Sequence, residues 1–495
     1  MEENKKESSL PSRREFVKNA SMAAAGFMIV PRHVLGGKGY IAPSDKLNVA
    51  SIGVGGKGQS DVANFAKSGK ANIAYLCDVD DARAANSVKA FPQAKYYKDW
   101  RQLLDKESKN FDAVSVSTPD HNHAAPVLAA MQLGKHVYVQ KPMTHDVYEA
   151  RVLTKAAEQY KVVTQMGNQG ASNDGVRQLT EWYDAGLIGD VSTVYIWTNR
   201  PVWPQGIPWS DRKAEVPKTL DWDLWLGSAP YKDYVEKLVP FNWRGWWDYG
   251  TGALGDMGCH LVEPAFRVLD LKYISDVQAS VGTVYVDEFK QGYFPDSCPP
   301  SSHVTMTFPK TKKTKGPVTL HWMDGGIQPE RPAELGPNEV FGDGGNGVYF
   351  IGSKGKMMCG TYSRDPKLIP LSRNPETAKV KQKIPRVPGG EDGHYAQWVE
   401  GAIAGYGKTQ MSSPFEIAGP LTEALLMANL AIRGYDLRVP RTNANGQPNG
   451  FNYPGRYVKL VWDNDNMRVT NLDAANQFVK RTYREGWKLG EAKSF

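Results

Sequence analysis

The chain has 495 residues, 41% hydrophobic and 23% charged, the proportions of an ordinary globular protein with room for about two to four domain cores. No apolar run reaches the roughly 18 residues needed to cross a bilayer, so no membrane span is expected. Of the net charge of +7, the first 42 residues carry seven Lys or Arg against four Glu, leaving only +4 on the remaining 453; the basic residues there are dispersed, which argues against nucleic acid as a partner.

The chain opens on an address rather than a fold. Ser12-Arg13-Arg14-Glu15-Phe16-Val17-Lys18 resembles the twin-arginine export motif, and an apolar run of eleven residues, 20–30, follows and stops at Pro31. Residues 1–42 are therefore read as a signal and linker, which predicts export, to the periplasm; a leader that does not function leaves the protein in the cytoplasm.

Residues 43–167 alternate between strand and helix patterns. The apolar run 47–53 leads into Gly53-Val54-Gly55-Gly56-Lys57-Gly58, a helix is expected over 59–68, and the next apolar run, 73–76, closes on Cys77-Asp78. In such a βαβ unit the first glycine allows a tight turn, the second admits a pyrophosphate against backbone, and the third lets helix and strand pack closely. Asp78 lies twenty residues beyond Gly58, where a carboxylate accepts hydrogen bonds from ribose hydroxyls. With Asp80 and Asp81 it would repel a 2'-phosphate, so NAD is expected over NADP, although Arg83 is a cation that could serve the latter. A helix at 80–90, a segment 96–104 and a strand at 113–117 follow, ended by Thr118-Pro119-Asp120. Next come a helix at 122–133 stopped by Gly134, a strand at 136–140 with Lys141-Pro142 at its carboxyl end, a helix at 147–160 and a strand at 162–166.

From Asn168 onward aromatics, Gly and Pro increase. Runs at 191–197, 277–286, 304–308 and 318–322 read as strands of a second sheet, 201–249 as long ordered loops, and 395–403 as an amphipathic helix preceded by His394. The lysines of 310–315 suit a solvated hairpin. The 14 Trp and 23 Tyr serve core packing or sugar stacking. Cys77, Cys259, Cys298 and Cys359 form no C-x-x-C pair, which disfavours zinc, and their spacing assigns no disulfide.

Thr118-Pro119 with His123, Gly134-Lys135-His136-Val137 leading into Gln140-Lys141-Pro142, and Gly252-Ala253-Leu254-Gly255-Asp256-Met257-Gly258-Cys259-His260 together resemble the Gfo/Idh/MocA oxidoreductases, named from glucose-fructose oxidoreductase and inositol dehydrogenase. With the glycine turn and Asp78, the matches run in family order across about 210 residues. The resemblance implies an α/β protein: an N-terminal Rossmann domain at 43–167, then a C-terminal α+β domain at 168–495 built on an open, largely antiparallel sheet that often serves homo-oligomer contacts. It places Thr118, Pro119, His123 and Gln140 with Gly53, Gly55, Gly56, Gly58 and Asp78 around NAD, and makes Lys141, Asp256 and His260 the residues that meet a sugar or cyclitol hydroxyl. One position departs from the pattern. Gln140 stands where the family has Glu, removing a charge beside Lys141.

The residue chemistry agrees. Oxidising an alcohol needs a base for the hydroxyl proton while hydride leaves the same carbon. Asp256 and His260 are i and i+4, so on a helix Asp256 could orient the imidazole or accept substrate hydroxyls while His260 takes the proton. Asn168, Gln169, Arg244 and Trp246 are weaker candidates for sugar contacts. No metal is expected: His121 and His123 make an H-x-H pair without a matching carboxylate set. No G-x-S-x-G elbow suggests a serine hydrolase.

Address and cofactor together carry a consequence. A twin-arginine substrate crosses the membrane folded, and free NAD should be scarce outside, so the cofactor would stay bound and be restored within each cycle. Either a second substrate returns the hydride, or transient oxidation activates a sugar for elimination, as in NAD-dependent glycosidases. A sugar- and NAD-binding protein without turnover is a third reading.

Overall fold

Six short strands of the computed structural model, which describes residues 45–490, pair as a fully parallel sheet; the expected leader lies outside the described residues. β1 (Leu47–Ile52), β2 (Ala71–Cys77), β3 (Lys95–Tyr97), β4 (Ala113–Val116), β5 (His136–Val139) and β6 (Thr164–Met166) stand in the order β3-β2-β1-β4-β5-β6. The central strands read as continuous apolar runs because helices cover both faces, burying β4 entirely and β1 but for Asn48. The strand order reverses between β1 and β4, and ligands of open α/β sheets bind beyond the carboxyl ends at that switch.

The connecting helices are α1 (Lys57–Lys67), α2 (Asp81–Ala90), α3 (Trp100–Glu107), α4 (Ala124–Gln132) and α5 (Val147–Tyr160). Asp80, Asp99 and Asp146 cap α2, α3 and α5 by accepting hydrogen bonds from Ala82, Arg101 and Glu149 N–H groups. The Asp99 cap divides the segment read as 96–104 into β3 and α3. A 3-10 turn, Asp120–Asn122, delays α4.

The remaining chain contains α6 (Asp174–Asp184), β7 (Val191–Trp197), α7 (Trp222–Leu226), α8 (Gly252–Leu261), α9 (Glu263–Leu269), β8 (Asp276–Val281), β9 (Ser302–Phe308), β10 (Val318–Met323), β11 (Gly347–Gly352), β12 (Gly355–Cys359), β13 (Lys367–Ile369), α10 (Gly390–Ala404), α11 (Phe415–Tyr435), β14 (Leu460–Asp463) and β15 (Arg468–Val469). Its nine-stranded sheet runs β13-β12-β11-β7-β10-β9-β8-β14-β15, antiparallel except where β7 meets β10. The run read as one strand over 277–286 ends at Val281. Gly282 N–H turns to the Ser301 carbonyl, and Tyr285–Asp287 pairs with Lys290–Gln291 as a separate ribbon.

The expectation that no stretch is long and apolar enough for a bilayer is corrected by α11. By length and composition it passes that test, with Glu416, Glu423 and Arg433 spread along it, but 89% of its apolar window is buried inside the protein. It is a core helix. From Leu47 on, the chain clusters as one compact unit, because α10 and α11 return to the first sheet. Tyr395, Trp398 and Val399 of α10 share a core with Val49, Phe65 and Tyr138, while Met166 N–H donates to Ser413 O (2.8 Å) at the approach to α11. All four cysteines are free and buried.

Candidate functional site

The glycine turn sits where β1 meets α1. Gly53 has φ +77°, and a Cβ there would lie 2.7 Å from the Ser117 carbonyl group; a Cβ on Gly58 would lie 1.8 Å from Gly53 O. The turn thus needs both glycines, and it leaves the first backbone N–H groups of α1 without side-chain caps. The Asp78 carboxylate accepts from Val54 N–H (2.8 Å), Gly55 N–H (3.0 Å) and Asp80 N–H (3.0 Å). Burial raises its pKa, against the pull of those three bonds. Arg83 lies across the same turn, its guanidinium 2.5 Å from where a Gly56 Cβ would be.

A cavity of about 690 Å³ extends from here along the sheet edge, a size in the usual range for cofactor sites. Gly53, Gly55, Gly56, Asp78, Thr118, Pro119, Gln140 and Lys141 line it, as do Arg244 and Asp256. The backbone cradle, the carboxylate at the end of β2 and the size of the cavity fit NAD, which would be held by the turn, Asp78 and the Thr118-Pro119 segment. Gly58, His123, His260, Asn168, Gln169 and Trp246 lie outside the lining. His123 straps the wall instead: its ring nitrogens face Pro142 O (2.7 Å) and Thr118 O (2.8 Å). Trp246 packs edge-on to Trp209 in an aromatic cluster, and Gln169 donates to the Tyr138 hydroxyl (3.1 Å).

At the far end Lys141, at the carboxyl end of β5, donates to the Asp256 carboxylate (2.8 Å) and to its backbone carbonyl (2.7 Å). Arg244, stacked on Phe241 and Trp243, stands 3.6 Å from the same carboxylate. Burial works to raise the Asp256 pKa, but the Lys141 and Arg244 charges outweigh it and hold it below the ordinary carboxylate value.

Asp256 and His260 do share α8, yet the carboxylate does not orient the imidazole, because Lys141 and Arg244 engage it. Asn168 does that work. Its amide nitrogen donates to Cys259 O (2.7 Å), which turns its oxygen to His260 Nδ1 at 2.8 Å. Nδ1 is therefore the protonated nitrogen, and Nε2 makes no hydrogen bond among the described residues. Burial pushes the imidazole pKa well below its ordinary value, with the Lys141 charge acting in the same sense and Asp256 opposing.

Sequence reasoning missed the buried cluster behind Gln140. Asp61 of α1, fully buried, accepts from Lys57 Nζ (2.6 Å), Ser117 Oγ (2.8 Å) and Gln140 Nε2 (2.8 Å), and Lys57 also reaches the Tyr395 hydroxyl (2.6 Å). Lys57 and Asp61 at i and i+4 were the available cue. Also missed was Tyr362, whose ring meets His260 edge-on at 4.5 Å. His121 lies buried between Trp225 O (3.0 Å) and Tyr249 O (3.2 Å), and His394 between Ser172 Oγ (2.7 Å) and Met166 O (3.0 Å).

Comparison with known proteins agrees with this architecture. A glycosyl hydrolase family 109 protein of Shewanella pealeana is 28% identical over 170 residues, 30% of this chain and 37% of that protein. Levoglucosan dehydrogenase of Pseudarthrobacter phenanthrenivorans is 22% identical over 190 residues, 38% of this chain and 40% of its own. The inositol 2-dehydrogenase/D-chiro-inositol 3-dehydrogenase of Lacticaseibacillus casei is 31% identical over 146 residues, 29% and 41% of the two chains. The chain thus matches about two-fifths of the length of these curated relatives. Among solved structures, the WlbA dehydrogenase from Bordetella pertussis, in complex with NADH and UDP-GlcNAcA, shares the fold with a TM-score of 0.53 at 15% identity, covering 80% of this chain and 99% of that one. A model of an oxidoreductase family with an NAD-binding Rossmann fold matches residues 47–168, and that of the same family's C-terminal alpha/beta domain matches 179–309. The chain belongs to the Gfo/Idh/MocA oxidoreductase family.

Proposed function

We propose that the protein is an NAD(H)-dependent oxidoreductase acting on a hydroxyl of a sugar, sugar derivative or cyclitol, exported by the twin-arginine route to the periplasm with its cofactor tightly bound, and working as a homo-oligomer. The observation that carries the reading is the Lys141–Asp256 ion pair lining the same cavity as the glycine turn and Asp78, with the Asn168-held His260 four positions after Asp256 on α8, behind that lining. NAD, when bound, supplies the hydride acceptor. Lys141 holds a substrate oxygen with the one N–H it does not give to Asp256. His260 takes the hydroxyl proton on Nε2, a task worth about 10²- to 10⁴-fold for a positioned base. Asp256 keeps Lys141 aimed, and Arg244 on its aromatic ledge offers further donors to sugar oxygens.

The likeness to glycosyl hydrolase family 109 proteins favours a second reading, in which the same groups serve a redox-neutral cleavage. A sugar oxidised at C3 has an acidified C2 proton, loses that proton with its C1 substituent, takes up water across the resulting double bond, and is reduced at C3 by the hydride first removed. Mass spectrometry of the ligand released on denaturation, followed by incubation of the holoprotein with a sugar panel, separates the readings. Release of NAD, then an oxidised sugar with bound NADH, supports net oxidation. Cleaved glycoside without net NADH supports the second reading, and release of no dinucleotide overturns both.

A further inference from the structure

A second cavity, about 220 Å³, lies between the loop that leads into α8, α11 and the C-terminal segment, and nothing in the proposed chemistry uses it. Its lining includes Arg433 of α11, His145, Asp146, Asp248, Arg481 and Thr251. Thr251 belongs to its wall and donates through Oγ1 to the Asp120 carboxylate (2.6 Å), which lines the cofactor cavity, so the two spaces are back to back.

The charges around this space are unevenly matched. Asp248 is taken by Lys232 at 2.7 Å. Asp146 caps α5 and accepts from Arg481 N–H at 3.2 Å, while the Arg481 guanidinium is bound to Glu149 at 2.7 Å. Arg433 feels the charges of Asp248 and Asp146 but forms no ion pair and no side-chain hydrogen bond among the described residues. It is held between ring faces alone, with its guanidinium carbon 4.1 Å from the Phe478 centroid and 5.5 Å from that of Trp247. Rings fix the plane of a guanidinium but satisfy none of its five N–H donors. Nη1 of Arg481, which lines the same space, is buried without a hydrogen-bond partner. Unpaired buried donors and cations cost free energy, and a charge-assisted pair with an oxyanion removes that cost.

We infer that this cavity is a binding site for a small oxyanion, a carboxylate or phosphate group, gripped by the planar fork of Arg433 with Arg481 Nη1 as a further donor. Arg433 can donate in parallel to two oxygens of such a group, a geometry Lys cannot reproduce. The occupied site would brace Thr251, and through it the turn that starts α8 and carries Asp256 and His260. The site stands independently of the hydride chemistry proposed above.

The test is calorimetric titration of the full-length protein with inorganic phosphate and, in a separate arm, with malonate, at constant ionic strength set by chloride. Saturable binding of at least one anion is expected, retained in Lys141→Ala, and weakened tenfold or more in Arg433→Met and in the milder Arg433→Lys. Binding by phosphate alone or malonate alone identifies the group. Absence of saturable binding of either anion to the wild type overturns the inference, as does unchanged affinity in a folded Arg433→Lys.

Discussion

At the scale of single residues, the departure from the family pattern explains itself. Gln140 faces Asp61, a fully buried carboxylate, and donates its amide to it at 2.8 Å. The negative charge absent at 140 is supplied from α1, and a Glu at 140 would set two buried carboxylates together. Gln140→Glu should therefore lower stability by on the order of 1–3 kcal/mol, measured by denaturant unfolding; an unchanged midpoint would show that the amide bond to Asp61 contributes nothing. His260 makes a pH prediction. In the proposed mechanism it acts as the neutral base, and burial pushes its pKa down, so protonation should remove activity only as pH falls below the ordinary imidazole value of about 6.5. The pH profile of kcat/KM should stay level from neutrality to that point, and an acid limb centred above pH 7 would contradict the assignment. That Lys141 and Asp256 meet was legible in the sequence through the family resemblance. The Asn168–His260 bond was not, since it joins side chains 92 positions apart.

At the scale of elements, local rules carried the first half of the molecule. Asp and Gly sat where caps and turns need them, and continuous apolar runs became the buried parallel strands. The phosphate turn is the clearest case: a Gly58 Cβ would meet the backbone oxygen of Gly53, which cannot rotate away. Gly58→Ala should separate α1 from β1, costing about 1–3 kcal/mol as overpacking does, and reduce NAD affinity tenfold or more by titration calorimetry. Affinity within twofold of the wild type would mean that this turn does not hold the dinucleotide. The second half was less legible. β15 has only two residues, and α11 is apolar along most of its length because protein surrounds it, so its few polar residues do not mark out one face to register its period.

At the scale of the whole molecule, the two sheets are locked by contacts that no local pattern encodes. Arg151 of α5 makes a two-pronged pair with Glu423 of α11 (2.6 and 2.9 Å) and also donates to the Asn464 side chain (2.7 Å). Burial raises the Glu423 pKa while Arg151 pulls it back. Arg151→Met should then cost about 3–5 kcal/mol by leaving a buried carboxylate alone, and Arg151→Met with Glu423→Leu should recover most of it. Loss below 1 kcal/mol in the single variant, read by denaturant unfolding, would show that this pair does not lock α5 to α11. The same packing places α8 against the end of the first sheet, which brings Lys141 and Asp256, 115 positions apart, within 2.8 Å.

The central claim is that Lys141 and His260 manage the proton while hydride leaves a sugar carbon. Single-turnover reduction of protein-bound nicotinamide, followed by absorbance after mixing with a sugar mixture, tests it most directly in the wild type, Lys141→Ala and His260→Ala. Reduction in the wild type is expected, with a loss of about 10²-fold or more in each variant while NAD stays bound; reduction as fast in both variants as in the wild type would contradict the account.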